Sequence, residues 1–578
     1  LHLLSRRQRQ MCIRDRIRQA DGSLVRLSYD DRGNITELRD AQGNRTCYAY
    51  DDLNRMTESI DGKGNVTRYT YDIMGNVTRI ENAEGNSQSY EYNASGKVTK
   101  VTDFDGESIQ REYNVLNRPS KIIDKEGRET LLTYDSMWNL ARVTAPDGAR
   151  TTYLYNEENL LSRIKYADGA VVRYTYDANG NRISEEDENG GQTSFGYDAL
   201  GRVTEVKGEE GLHYRYAYDG EGNLISAEDA LGNVVQMEYD SAGNLLKETN
   251  PLGESRSYTY TALGDLESVT DEAGRTTRYR YYLGGLLEKI QNPDGTEESY
   301  SYDAAGNVRT HTYATGFVIS YFYDCMGRIT EIQGNNGEKK NYTYDALGNV
   351  TSMTDGKGNV TKYEYTYSGQ LKKVTDAFGN ETEYSYDLCD RLIEIRQYGA
   401  DGSLLTQQEE TGQENLSTWC LDPELLEAEK QNGRNRLCQV TRYTRDLRGR
   451  VTGITDALGQ KEAYTYDPKG QLLSKLDKEG YLTKYVYTKQ GDVSGIQYAD
   501  GREVKMSYNP LRQLMEVQDW IGLTKIQNDA LGRAVKVTYP DKKEVAYTYG
   551  KAGERRSMTY PDGRTVYYLS LIHISEPT

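Results

Sequence analysis

Polar and apolar residues alternate along this chain in runs of five or six, separated by clusters of Asp, Asn and Gly. Residues 66–81 show the grain: Val-Thr-Arg-Tyr-Thr-Tyr, then Asp-Ile-Met-Gly-Asn, then Val-Thr-Arg-Ile-Glu. Side chains of a strand alternate between two faces, so Tyr69 and Tyr71 share one face while Arg68 and Thr70 share the other. Val, Thr and Tyr favour strands, and Gly and Asn accept the positive φ of tight turns, so each such stretch predicts a β-hairpin. The hairpin then recurs. Eighteen tyrosines follow one another at intervals of 21 residues from Tyr29 to Tyr386. Fourteen residues after each stands Gly in 17 of 18 cases, Ala400 being the exception, and four residues after each stands Gly or Asn in 16 of 18. The expected fold class is all-β: tandem 21-residue hairpins forming a long coiled sheet, as a hollow shell or solenoid. Tyrosines in register would stack in rows along one face. A catalytic domain does not need the same chemistry every 21 residues, whereas an array in which each unit packs on its neighbours does.

The ladder breaks after Tyr386 and resumes at Arg445, Tyr466, Tyr487 and Tyr508, then slips by one residue to Asn528 and Tyr549. The gap of 59 residues leaves room for degenerate repeats. Within it, residues 422–433 carry an N-cap Asp422, Pro423 at the first helical position and a closing Gly433, so one helix is expected near 422–432, as an insertion decorating one rim or as a plug inside a hollow body. Both ends read differently from the rest. Residues 6–15 match an in-frame translation of a transposase-based sequencing adapter, and residues 569–578 match its partner read outward, the two sharing one transposon end as reverse complements. The expected organisation is therefore an adapter-derived stretch at 1–16, a repeat array at 17–387, degenerate repeats with a helical insertion at 388–442, a second array at 443–568, and adapter-derived sequence at 569–578. On that reading the chain is an internal fragment, both ends cut within repeats.

Setting the ends aside sharpens the composition. Residues 1–16 and 569–578 carry a net +3, so the remainder carries −21 against −18 for the whole chain. Such a surface repels polyanions, and no nucleic-acid partner is expected. Only 36% of residues are apolar, but 51 tyrosines supply packing that aliphatic residues usually provide. The Asp-x-x-Gly-Asn turns read either as calcium loops or as plain structural turns; most offer one carboxylate where a calcium loop gathers several, which favours the structural turn. Five cysteines lie outside the adapter stretch: Cys47, Cys325, Cys389, Cys420 and Cys438. Their odd number and spacing indicate neither a zinc site nor a disulfide framework, although Cys420 and Cys438 bracket the expected helix and would be free to pair in an oxidising compartment. His213 and His311 sit beside strand tyrosines and read as ordinary strand residues. No nucleophile triad, phosphate loop or metal signature is present, so no catalytic, cofactor-binding or metal residue is assigned, no cofactor is expected, and the chain is not expected to be an enzyme. Strings such as Gly356-Lys357-Gly358 are turns.

With these residues in view, the pattern Tyr-x-Tyr-Asp-x-x-Gly-[Asn/Arg]-[Val/Leu]-x-x-[Val/Ile]-x-Asp-x-x-Gly, as at 69–85, 300–316 and 342–358, resembles the YD repeat of the Rhs and wall-associated proteins. The resemblance covers nearly all of 17–568. It implies a β-strip coiled into a hollow shell that holds a C-terminal toxin, here absent, in a secreted or surface-displayed bacterial protein with no membrane span in this fragment. Related repeats in teneurins serve adhesion, so the alternative is a cell-surface adhesion or glycan-binding protein contacting glycans or wall through exposed tyrosines. The family's closing motif, Asp-Pro-x-Gly-Leu, is approached at Asp467-Pro468-Lys469-Gly470-Gln471-Leu472, but more repeats follow it, so it reads as an ordinary turn and no autoprotease residue is carried over. Geometry alone favours a coil: about 25 units of two strands, at roughly 4.8 Å per strand, make a strip on the order of 240 Å long, which twist would curl.

Overall fold

In a computed structural model of the chain, described for residues 15–399 and 438–568, fifty strands form one antiparallel sheet. Every strand pairs with its neighbours in sequence; the first, Arg16–Arg18, pairs with Leu24–Tyr29, and the last, Thr565–Tyr567, with Arg555–Thr559. The repeat divides as the pattern predicts: a six-residue strand such as Arg45–Tyr50, a turn at 51–55, a five-residue strand Met56–Ile60 and a turn at 61–65. We call the turns that follow the ladder tyrosines the tyrosine rim, and those on the opposite edge the return rim. The short helical turn Glu209–Gly211 is itself part of a return-rim turn and contains the positive φ of Glu210 (56°).

Most tyrosine-rim turns are built from their first carboxylate or amide, and those that start at Thr261, Thr366 and Thr488 from a hydroxyl. In the turn at 72–76, Asp72 Oδ1 accepts the amides of Met74 and Asn76 at 2.9 Å, Oδ2 accepts Asn76 Nδ2 at 2.8 Å, and the Gly75 amide closes on the Asp72 carbonyl at 3.1 Å. Gly75 holds φ 90°, a conformation that costs an L-residue about 1–2 kcal/mol, which is why Gly or Asn recurs there. The three departures, Trp138 (φ 67°), Asp390 (φ 59°) and Arg512 (φ 64°), adopt the same left-handed backbone, so the turn overrides the residue.

The five-residue turn leaves a bulge just before the ladder tyrosine, as between Thr70 and Tyr71, and a carbonyl without a ladder partner at the start of the preceding short strand. The tyrosine hydroxyl satisfies that carbonyl. Sixteen of the eighteen ladder tyrosines donate to the carbonyl 15 residues earlier at 2.6–3.2 Å, Tyr50 to Ile35 and Tyr344 to Ile329 among them. Arg445, where the ladder lacks tyrosine, sends Nε and Nη2 to the Leu392 carbonyl at 3.1 and 2.8 Å, so a guanidinium replaces the phenol.

The sheet is a single layer. Tyr69, Tyr71, Val77 and Ile80 lie on one, half-buried face, and Arg68, Thr70 and Arg79 on the other, exposed face. Among the described residues only Val172, Tyr398, Val440 and Val545 are buried apolar side chains. The accessible surface of 35852 Å² compares with about 21000 Å² for a compact monomer of this mass, as a sheet one layer thick requires.

Strand Leu392–Tyr398 pairs directly with Cys438–Arg445, so the chain leaves and re-enters the sheet at adjacent rungs, on the return rim, around residues 400–437. The helix expected near 422–432, and Cys420 with its pairing to Cys438, lie outside the described residues, as do residues 1–14 and 569–578. Arg16, assigned by sequence to the adapter stretch, extends the first strand opposite Arg26, because backbone pairing asks little of side-chain identity.

Candidate functional site: the seam between laps

The strip winds on itself. Gln42 reaches the Leu283 carbonyl, Glu84 pairs with Arg328, Arg128 meets Ser368, and Asp147 pairs with Arg391, joining residues 240–244 apart. Beyond the 400–437 segment the separations become 279–282, as in Asp168–Arg450, Asp187–Lys469 and Glu209–Gln490, an increase that matches the residues of that segment. One lap therefore holds 11 to 12 repeats, or about 23 strands. At roughly 4.8 Å per strand a round lap would measure about 110 Å around and about 35 Å across. Barrels of 16–18 strands already leave an aqueous channel, so a lap of this size is hollow.

The seam obeys one rule: return-rim turns of the first lap, from 19–23 to 208–212, meet tyrosine-rim turns of the second, from 282–286 to 509–513. Its chemistry is mostly acidic below and basic above. Asp168 takes Arg450 Nη2 at 3.1 Å, Glu188 takes Arg448 Nη2 at 3.1 Å, Asp187 takes Lys469 Nζ at 2.7 Å, and Glu209 takes Lys489 Nζ at 3.3 Å. The polarity reverses at Lys63–Asp303 (3.3 Å) and at Arg128. Arg128 is the best-satisfied cation of the seam: its two Nη atoms grip both Asp390 oxygens at 2.7 and 2.9 Å, Nη2 also reaches Ser368 Oγ at 2.6 Å, and Nε holds Asp124 at 2.6 Å. A bidentate, charge-assisted pair of this kind is strong and directional, and the Asp390 hydrogen bonds raise the Arg128 pKa. Desolvation pushes the Asp147 carboxyl up, but the Ala149 amide and Arg391 outweigh it, so it titrates below the usual carboxylate range. Asp187 behaves alike: desolvation pushes it up, and Lys469 together with the Gly191 and Asn189 amides outweighs it. Close approach adds a steric condition: a Cβ on Gly62 would overlap the backbone carbonyl of Ala304.

The residues singled out from sequence fall into place around this seam. The turn at 467–471, similar to the family's closing motif, is an ordinary tyrosine-rim turn whose Lys469 serves the seam. The turn carboxylates of the Asp-x-x-Gly-Asn pattern already accept their own turn's donors, as Asp72 does, and no cluster of three or more His, Cys, Asp or Glu suited to a metal occurs among the described residues. His213 and His311 have partners the sequence did not suggest: Nε2 of His213 lies 2.8 Å from Glu205 and that of His311 lies 3.0 Å from Glu298, the His311 ring also packing 4.3 Å and 3.9 Å from the rings of Tyr300 and Tyr313. Cys47, Cys325 and Cys389 are free thiols, and burial pushes the Cys389 thiol up beside Asp147. No helix among the described residues is long and apolar enough to cross a membrane, which does not bear on crossing by strands.

A single-layer strip of repeated hairpins, wound in laps that meet through their turns, defines a repeat shell. The chain belongs to the YD-shell family built from Rhs repeats: it matches the teneurin YD-shell over residues 4–170, 148–260, 312–414 and 428–519, and the RHS repeat over 281–318 and 529–565. No curated protein sequence matches it. Among solved structures, the crystal structure of TcdB2-TccC3-TEV is 13% identical over 93% of this chain and 39% of its own, with a TM-score of 0.53. The Photorhabdus luminescens Tc holotoxin pore with a mutation in TccC3 is 14% identical over 94% and 32%, with a TM-score of 0.50. At such identities the likeness is one of fold, and this chain spans only 39% and 32% of their respective lengths.

Proposed function

We propose that the chain is a non-catalytic scaffold of a secreted or surface-displayed bacterial protein, a shell that encloses and delivers a C-terminal toxin domain lying beyond this fragment. The observation that carries this reading is the hollow lap of about 23 strands, sealed turn to turn. The apolar tyrosine face suits the concave side, where curvature crowds side chains together, leaving the charged face to solvent. The toxin complexes named among the structural likenesses support a toxin partner by analogy of fold. The 1–16, 388–442 and 569–578 assignments belong to this proposal too: adapter-derived ends, and an insertion on the return rim. The test is expression. The fragment alone should show no hydrolase, transferase or nuclease activity and should not harm cells from the cytoplasm, while the full-length protein should yield a protease-resistant shell and a separable C-terminal polypeptide. A toxic fragment would end the passive-shell reading.

One observation keeps adhesion as the second reading. The ladder hydroxyls are spent on carbonyls, but Tyr367, Tyr481 and Trp520 stand exposed on turns, where a sugar ring can stack. Specific binding on a glycan array, lost on replacing these three residues by Ala, would favour it.

A further inference from the structure

Across much of its polar face the sheet sets cations against carboxylates of a neighbouring strand. Arg68 lies between Glu58 and Glu81 at 3.1 and 3.2 Å, Lys121 reaches Glu129 at 2.6 Å, and Lys247 reaches Glu238 at 3.0 Å. Strands Leu140–Thr144, Arg150–Tyr155 and Leu161–Lys165 depart from this. Arg142, Arg150, Arg163 and Lys165 all stand on that face, and none of the four has a hydrogen bond or ion pair with a described residue. The register puts Arg142, Thr152 and Lys165 in one row across the three strands. In another row Arg163 directly opposes Arg173 of the next strand, Val171–Tyr176. Like charges facing each other across two strands lower stability. Nearby carboxylates are engaged elsewhere: Glu129 with Lys121, Glu186 with Arg173, Asp147 with Arg391 and Asp168 with Arg450, while Glu157 and Glu158 stand on a tyrosine-rim turn. Arg163 Nε, closed off from solvent, has no hydrogen-bond partner, a cost that an anion drawing the guanidinium outward would relieve.

We propose that this face, over residues 140–175, binds an acidic oligosaccharide bearing sulfate or carboxylate groups. Four of its five cations are arginines, whose planar guanidinium matches the paired oxygens of either group. Strands about 4.8 Å apart carry the cations across the sheet, so the ligand presents several anions along a line. Thr144 and Thr152 stand among them, with hydroxyls that can meet those of a sugar. Nucleic acid fits less well. Duplex recognition needs a far wider basic footprint, the chain as a whole carries −18, and the patch has none of the aromatic platforms on which single strands stack. The patch is separate from the enclosed space and from the exposed aromatic turns, so it is tested independently of the shell and adhesion readings.

Calorimetric titration of the full 578-residue chain with a heparin-derived hexasaccharide, a hexagalacturonate and neutral maltohexaose tests this. The acidic sugars should bind, more weakly as salt rises, and the neutral one should not; the tighter of the two acidic sugars names the anionic group. Arg163→Gln with Lys165→Gln should weaken binding about tenfold or more with circular dichroism unchanged. Lys362→Gln with Lys484→Gln, the same charge change elsewhere on the polar face, should leave binding as it was, as should replacing Tyr367, Tyr481 and Trp520 by Ala. Without sugar, Arg163→Gln should raise the melting temperature, because it removes the charge opposed to Arg173. No binding of either acidic sugar, or equal loss in both lysine-containing variants, would overturn the proposal. So would a melting temperature lowered by Arg163→Gln, which would make the cation structural. Tighter binding to phosphatidylglycerol vesicles or to single-stranded DNA would give the patch to a membrane or a nucleic acid instead.

Discussion

A ladder tyrosine does two jobs that can be separated by substitution. Its ring fills the half-buried face and its hydroxyl holds a carbonyl that the bulge has orphaned. Tyr344→Phe removes only the 2.6 Å bond to Ile329 and should cost about 1 kcal/mol, with a further part of the penalty from the carbonyl left unpaired. Tyr344→Ala removes the ring as well, and because that ring is only half-buried the loss should be about 2–3 kcal/mol, short of a full core deletion; chemical denaturation of both variants checks the order. Trp138→Gly should act in the opposite direction, stabilising by about 1 kcal/mol in the melting of the monomer, since the turn demands φ 67° whatever residue stands there. The phenols also fix an alkaline limit. Burial first, then the Glu462 carboxylate, push the Tyr464 hydroxyl up to about 12. A neutral phenol favoured in the folded state contributes stability that is fully present below pH 10 and is lost as pH rises through about 12. Absorbance at alkaline pH should show Tyr464-type phenols ionising together with loss of sheet, whereas Tyr464→Phe should lessen that dependence.

The hairpin turn was the most legible element and remains the most testable. Its carboxylates titrate low because the turn's own donors hold them ionised: the Asn76 side chain for Asp72, the Asn181 side chain for Asp177, the Arg55 amide for Asp51. Carboxyls depressed in this way contribute stability above their ordinary value of 3.8, lost as pH falls through the folded values. The array should therefore hold from neutral pH to about pH 4 and loosen below it, with hydrogen exchange accelerating first at turn amides such as Met74 and Asn76. Uniform loss of protection along strands and turns at once would contradict this origin. The 21-residue division into strands and turns could be read from sequence because every part of it is local: alternation sets the strands, Asp and Gly set the turns. Arg445 and Trp138 could not be read, because a guanidinium can stand in for a phenol and a turn can impose its backbone on tryptophan only once neighbours hold them.

At the scale of the molecule, the number of strands in one lap is set by small twists accumulated over about 23 strands, a quantity no local pattern encodes. The candidate site was hidden from sequence for this reason, since its partners lie 240 residues or more apart, although complementary charge recurring at that offset was a signal present in the chain. The seam is made of turn contacts and ion pairs, not ladder bonds, so it should open without melting the sheet. Its carboxylates and guanidinia are partly exposed, and at about 1 M salt the screening length falls to about 3 Å. The radius of gyration from small-angle scattering should then rise while circular dichroism stays constant. Gly62→Val should do the same at low salt by driving a side chain into Ala304, and Asp168→Arg should do so by setting like charge against Arg448 and Arg450. Adding Arg450→Glu to Asp168→Arg should recover part of the compact form, because the pair is restored with its sign exchanged. If high salt and all three variants leave the scattering profile unchanged, the laps are held by the curvature of the continuous sheet and the seam is only where they happen to touch.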